Sequence, residues 1–345
     1  MEENKKITAF QRHLSLWVLL CMAVGILIGR FLPGVTEFLG KLEISNISIP
    51  IAVLIWIMIY PMMIKVDFNS VKEVGKNPKG LYLTWIVNWL IKPFTMYGIV
   101  YFFLFVIFKN YISPDLAREY LAGAVLLGAA PCTAMVFVWS ALTNGNPAYT
   151  VVQVATNNLI ILVAFVPIVK FLLGVSNVSV PYSTLFLSVF LFVVIPLVGG
   201  IVTRMTVLKK RGKEYFESEF VHKFDGITTV GLLLTLVLIF ASQAEVILSN
   251  PVHIILIAIP LIIQTFFIFF VSFGVAKSIR LPFDIAAPAG MIGASNFFEL
   301  AVAVAIALFG TTSPAALATT VGVLTEVPVM LTLVKIANNS KDKFE

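Results

Sequence analysis

The chain reads as an all-α polytopic membrane protein of ten transmembrane helices, a five-plus-five inverted repeat whose fourth and ninth helices are discontinuous. Three observations predict this. Hydrophobic residues make up 59% and charged residues 12% of the 345 positions, and mean hydropathy is +0.98, whereas soluble proteins carry about 25% charged residues. Apolar windows of about 20 residues, the length that crosses a bilayer core, recur along the whole chain. Two of them, the fourth and the ninth, are interrupted by proline, glycine and polar residues. Broken spans in corresponding halves of a chain are a sequence pointer to a transporter site.

The predicted spans are 16–32, 47–64, 81–108, 121–142, 150–172, 185–205, 227–241, 252–276, 285–309 and 314–336. The third is long, with Pro93 inside it as a point of kinking or tilt; the seventh is short. The fourth and ninth are rich in Gly and Ala, which lets two backbones approach closely. An odd number of spans per half reverses the orientation of the second half, so the repeat is inverted. Residues 1–205 hold the first repeat (spans 1–5) and span 6, and 227–345 hold spans 7–10. Residues 206–226 are charged (VLKKRGKEYFESEFVHKF at 207–224) and read as a cytoplasmic linker loop lying along the membrane surface.

Lysine and arginine set the orientation. Of the 24 in the chain, 18 fall on the side that carries both termini and five on the other, with Lys92 inside a span. An excess of basic residues marks the cytoplasmic side, so both termini are expected in the cytoplasm of a cell inner (plasma) membrane. The net charge of +6 is thereby accounted for without nucleic acid. The N-terminal stretch leads into a full-length span and not into a short cleavable signal. Two cysteines, Cys21 and Cys132, make no disulfide framework, and no CxxC, HExxH or multi-histidine pattern points to a resident metal. No cofactor is implied.

The chemistry-bearing residues sit at the breaks. Cys132 follows Pro131, whose ring removes a backbone donor and disrupts the preceding turn. Buried cysteine is often a small apolar filler, the reading that suits Cys21. Cys132, with Thr133 beside it, stands at a helix break, where a half-helix starting near Thr133 would aim its free N–H groups at the sulfur. A thiolate selects soft, thiophilic species, and a single one releases them again. Glu299, in the ninth span, is a functional-site hypothesis because a carboxyl there costs about 2.5–3.5 kcal/mol to insert; it suits proton coupling, or else ties the break together. With Ser295 and Asn296 it shares one face if the segment is helical there. Glu326, two residues before Pro328, is either a second protonatable group or a cap for backbone freed by that proline. Asn157 and Asn158, with Gln153 one turn earlier, either line a cavity or bridge helices. Asn88 and Lys92 share a face of the third span; Lys92 pairs with a carboxylate or snorkels to an interface. Trp139 walls the pocket or fills the packing.

At these residues a resemblance stands out. The stretches GAAPCTAMVFVWSALTNGNPAYTVVQVATNNL and GASNFFELAVAVAIALFG, with LIWIMIYPMMIKVDF before them and LTEVPVM after, closely resemble the arsenical-resistance-3 type of arsenite efflux carrier, in the bile acid/arsenite/riboflavin transporter superfamily. The resemblance covers about residues 16–335. It implies two broken helices crossing at the membrane midplane, a core domain (spans 3–5 and 8–10) that carries the site, and a panel (spans 1, 2, 6 and 7) that moves against it. It implies efflux of trivalent arsenite, and of antimonite in some members, in exchange for protons. The family's essential cysteine and glutamate match Cys132, the ligand to arsenic, and Glu299. Its other important positions match Asn88, Asn157, Asn296 and Glu326. The substrate set it suggests is Cys132, Thr133, Asn157, Asn158, Ser295, Asn296 and Glu299, with Glu299 and Glu326 for protons and Asn88, Lys92 and Trp139 in support. Lipid surrounds the chain; neither a soluble arsenic-delivery protein nor an ATPase is required, and a homo-oligomer is compatible. Many members have arginine immediately before the cysteine, where this chain has Pro131, so no role of that arginine carries over.

Other classes compete with this. A sodium-coupled organic anion carrier of the bile acid type would build a sodium cage from Glu299, Glu326 and the asparagines. An intramembrane enzyme with Cys132 as nucleophile would need a nearby base, and His13, His222 and His253 all lie near span ends. A receptor would need an output domain, for which no segment of the sequence reads.

Overall fold

The computed structural model describes residues 14–44, 47–65, 78–133, 135–249 and 251–344. Lys5, Lys6, Arg12, Lys72 and Lys76, which enter the charge count above, lie outside the described residues. Within them the chain is almost wholly helical, apart from a two-residue antiparallel pairing of Glu43–Ile44 with Ile47–Ser48.

The helices follow the apolar windows. Helix α1 (Leu14–Phe31) stops before Pro33, and the chain bends by 96° into α2 (Pro33–Lys41). Helix α3 is Ile49–Lys65, and α4 runs from Lys79 to Ile107. The fourth window is two helices, α5 (Pro114–Ala129) and α6 (Val136–Leu142). Next come α7 (Pro147–Val175), α8 (Tyr182–Phe224), α9 (Asp225–Ser242), α10 (Ala244–Ser249) and α11 (Pro251–Ser278). The ninth window is again two helices, α12 (Phe283–Ala294) and α13 (Phe298–Phe309), and α14 is Pro314–Asn338. Among the described residues five helices are individually long and apolar enough to cross a membrane, and six if the bent α1–α2 pair counts as one. The half-helices are shorter because each break divides one window between two elements.

Local rules explain several boundaries. Helices α5, α7 and α14 each open on a capping side chain followed by proline. Ser113, Asn146 and Ser313 accept the N–H of Leu116, Tyr149 and Ala316, respectively. The cap satisfies an orphan donor, and proline at the first position has no N–H to leave unpaired. Pro93 inside α4 is accommodated by a π-turn at Val87–Ile91, in which the Lys92 N–H reaches back to the Val87 carbonyl. Such bulges absorb an extra residue, relieving the clash that proline brings to a helix.

One expectation is corrected. Residues 206–226 were expected as a loop, yet they continue α8 and begin α9. The change of direction is concentrated at Gly212 (φ 81°, ψ 173°), a left-handed region open chiefly to glycine. Beyond it Phe216 stacks on Phe220 with centroids 5.9 Å apart, and the Arg204 guanidinium lies 4.8 Å from the Phe216 ring. Those contacts give the charged segment an apolar side, so it folds as a helix.

Packing falls into two groups. Helix α1 lies along α9, and α3 packs on α8 and α9. In the other group α11 packs on α12 and α14, α5 on α14 and α4, and α13 on α14. Close approach depends on small residues. A Cβ added at Gly123 of α5 would overlap the Ala315 carbonyl and the Ala318 methyl of α14. Gly123→Val is therefore expected to destabilise the fold by about 1–3 kcal/mol, read as a lower melting temperature of the detergent-solubilised protein. An unchanged melting temperature would show that α5 and α14 can separate at no cost.

Candidate functional site

The two breaks meet. Helix α5 ends at Ala130, whose φ and ψ of −115° and 105° turn the chain extended, and α12 ends at Ser295 with φ −81° and ψ 148°. Pro131 and Asn296 then form an isolated antiparallel bridge. The Phe297 N–H donates to the Ala130 carbonyl at 2.8 Å, and the Cys132 N–H to the Ser295 carbonyl at 3.4 Å. Backbone polar groups that a broken helix leaves unpaired are costly inside a membrane; here each break supplies partners to the other.

Ser295 is the hub. Its carbonyl also accepts the Lys92 ammonium at 2.5 Å, and its hydroxyl donates to Glu326 Oε1 at 2.5 Å. Glu326 accepts further from the Asn296 N–H (3.2 Å, Oε1) and the Asn296 amide Nδ2 (3.4 Å, Oε2). Glu326 thus caps the break between α12 and α13, and not backbone freed by its own Pro328. Lys92 is 1% exposed. It neither snorkels nor makes a direct pair with a carboxylate, but reaches Glu326 through Ser295.

Two further expectations are corrected by the path of the backbone. Helix α6 begins at Val136 and is only seven residues long, so Cys132 and Thr133 lie outside any helix, ahead of it. The helix N-terminus expected near Thr133 lies three residues further on, at Val136. Ser295 and Asn296 likewise precede α13, which starts at Phe298, so they share no helical face with Glu299. The break itself gathers them.

The surroundings are buried and rich in polar atoms that no protein group satisfies. Cys132 is 2% exposed and Glu299 3%. Side-chain atoms with no protein partner include both amide atoms of Asn88 and of Asn158, Asn157 Nδ2, Thr133 Oγ1, Asn296 Oδ1 and Glu299 Oε2. Trp139, also buried, has an unpaired indole N–H. Asn157 Oδ1 accepts the Trp89 indole N–H at 3.2 Å. Gln153 goes elsewhere: its amide donates to the Gly80 carbonyl and the Tyr149 hydroxyl, a cluster that ties α7 to the start of α4. Buried donors and acceptors in proteins are overwhelmingly paired. Unpaired ones at both breaks (Thr133, Asn296, Glu299) and on α4 and α7 (Asn88, Asn157, Asn158) suit a small polar guest that supplies the missing partners.

Sequence reasoning passes over Gln264 and Trp89. Gln264, 1% exposed in α11, donates to the Lys92 carbonyl at 3.2 Å and the Thr95 hydroxyl at 3.0 Å. A lone amide in a long apolar helix was its signal. Among the described residues no group of three or more His, Cys, Asp or Glu could hold a metal ion.

Comparison with known proteins adds an independent line. The family model described as the sodium bile acid symporter family matches residues 52–250. The arsenical-resistance protein Acr3 of Alkaliphilus metalliredigens (strain QYMF) is 62% identical over 344 residues, covering 100% of this chain and 96% of the relative. An uncharacterized transporter of Synechocystis, slr0944, is 47% identical over 97% of this chain and 90% of its own length. Acr3 of Corynebacterium glutamicum is 33% identical over 95% of this chain and 89% of its own length.

Proposed function

This chain belongs to the sodium bile acid symporter family, and within it to the Acr3-type arsenical-resistance carriers, and from that premise we propose that it exports arsenite across the plasma membrane in exchange for protons. Members of this family are membrane transporters and not enzymes. The observation that carries the reading is the buried thiol of Cys132 at the meeting of two broken helices, on a fold whose adjoining helices α4 and α7 carry buried amides without protein partners.

The proposed architecture is ten spans in a five-plus-five inverted repeat, with both termini cytoplasmic. Spans 1, 2, 6 and 7 form a panel and spans 3–5 and 8–10 a core in this reading, which the division of the packing into two groups supports. Alternating access is movement of one against the other. Arsenious acid enters the core from the cytoplasm as a neutral triol. The Cys132 thiol attacks arsenic; an S–As bond forms, an As–O bond breaks, and the thiol proton leaves on the departing hydroxide as water. Soft sulfur selects arsenic, while Thr133, Asn157, Asn158 and Asn296 hydrogen-bond the remaining hydroxyls. Antimonite, the same trigonal hydroxide, fits the same donors. Ser295 is braced by Glu326 and orients the break. Asn88 faces the guest from α4, and Trp139 closes the wall.

Geometry divides the two carboxyls. Glu326 is engaged by three donors, whereas Glu299 keeps one oxygen without a protein partner. Glu299 is therefore the better proton carrier, and Glu326 the brace. Because arsenious acid is neutral, exchange for a proton moves charge and the membrane potential assists it. Inside-out vesicles energised by respiration should accumulate radiolabelled arsenite, and an uncoupler should release it. Uptake indifferent to the uncoupler, or uptake only of an organic anion with sodium, would replace this reading.

A further inference from the structure

We infer that Lys92 is a positioning residue for Cys132, the fixed cation of the crossing: its ammonium is held by the Ser295 carbonyl, the same oxygen that accepts the Cys132 N–H. The inference rests on the arsenite reading above and names what makes the thiol site work.

Among the described residues Lys92 is the one fully buried cation, and Glu299 and Glu326 are the buried carboxyls. A charged residue in a span costs about 2.5–3.5 kcal/mol even on permissive scales, so a buried one is retained for what it does. Its place is set from two sides. The π-turn at Val87–Ile91 ends on it, and Gln264 of α11 donates to its backbone carbonyl at 3.2 Å. The side chain then reaches the Ser295 carbonyl at 2.5 Å. That same oxygen accepts the Cys132 N–H at 3.4 Å, so the ammonium and the Cys132 backbone meet on one atom. Ser295 completes the chain by donating its hydroxyl to Glu326.

Among the described residues no other buried cationic side chain is present. Helix α6 starts four residues beyond Cys132, and Pro131 is uncharged. An ammonium has three donors, and the Ser295 carbonyl takes one. The others are available to a hydroxyl oxygen of the guest and to sulfur as its proton departs, a charge that the Glu326 carboxylate would repel. Carbonyl and carboxylate oxygens are also the ligands that hard metal cations take; here an ammonium already occupies the Ser295 carbonyl, and the Ser295 hydroxyl occupies Glu326 Oε1, so the site asks for no added metal cation.

The test is counterflow of radiolabelled arsenite in proteoliposomes holding the full chain, in sodium-free buffer without a pH gradient. Lys92→Met should slow exchange about ten- to a hundredfold, the worth of a hydrogen bond to a charged group. Lys92→Arg, which keeps the charge, should stay well above Lys92→Met. In Lys92→Ala, methylammonium should restore exchange several-fold, and tetramethylammonium, which has no N–H, should not. A purely structural role, bracing the break through the Ser295 carbonyl, would lower the melting temperature of Lys92→Ala and methylammonium would restore it in step with exchange; the expected result is an unchanged melting temperature. The inference is overturned if Lys92→Met exchanges like the wild type, if both amines act alike on Lys92→Ala, or if wild-type exchange requires sodium. Absence of any wild-type arsenite counterflow removes the arsenite reading and this inference together, whereas normal wild-type counterflow with an indifferent Lys92→Met removes this inference alone.

Discussion

Cys132→Ser should lower energised arsenite uptake into inside-out vesicles by about a hundredfold or more, because a hydroxyl is not the soft donor that trivalent arsenic selects. The substitution is nearly isosteric, and the backbone contact that fixes residue 132, its N–H to the Ser295 carbonyl, does not involve the sulfur. The crossing should survive, so the melting temperature should change little while transport disappears. Cys21 provides the contrast. It is buried in α1, whose main packing partner is α9, and Cys21→Ser should leave uptake near the wild-type rate. Wild-type uptake in Cys132→Ser would keep the carrier and reduce the thiol to packing.

The breaks were legible because proline and clustered small or polar residues interrupt an apolar window in a way that periodicity exposes. Pro131 and the Gly-Ala-Ser-Asn run ending at Asn296 mark both places where helix stops. Helix positions were legible for the same reason: the window 252–276 becomes Pro251–Ser278, and 150–172 becomes Pro147–Val175. What periodicity cannot supply is which side chain completes which break. Glu326 lies 30 residues from Asn296, and Lys92 lies 203 from Ser295. Both contacts exist only once α4, α12 and α14 pack together. The helical run through 206–226 was hidden differently: its charge pattern reads as solvent-exposed loop, and only the Phe216–Phe220 contact and the Gly212 turn show how it folds.

Glu299→Gln should separate coupling from transport. Glutamine keeps the shape of the protonated acid but exchanges no proton. With one unit of pH difference and one proton per arsenite, wild type should hold about a tenfold concentration ratio, since one unit is worth about 1.4 kcal/mol. Glu299→Gln should relax to equal concentrations on both sides, while gradient-free counterflow continues. Glu326→Gln should behave in the opposite way. Its amide would turn a donor toward Asn296 Nδ2, which now donates to Glu326 Oε2 at 3.4 Å, and a mismatched buried donor costs about 1–3 kcal/mol. That variant should lose thermal stability, with whatever transport remains still coupled. The pair of variants assigns the proton: if Glu299→Gln still concentrates arsenite against the gradient and Glu326→Gln does not, the carrier of the proton is Glu326, and the oxygen of Glu299 without a protein partner serves the guest instead.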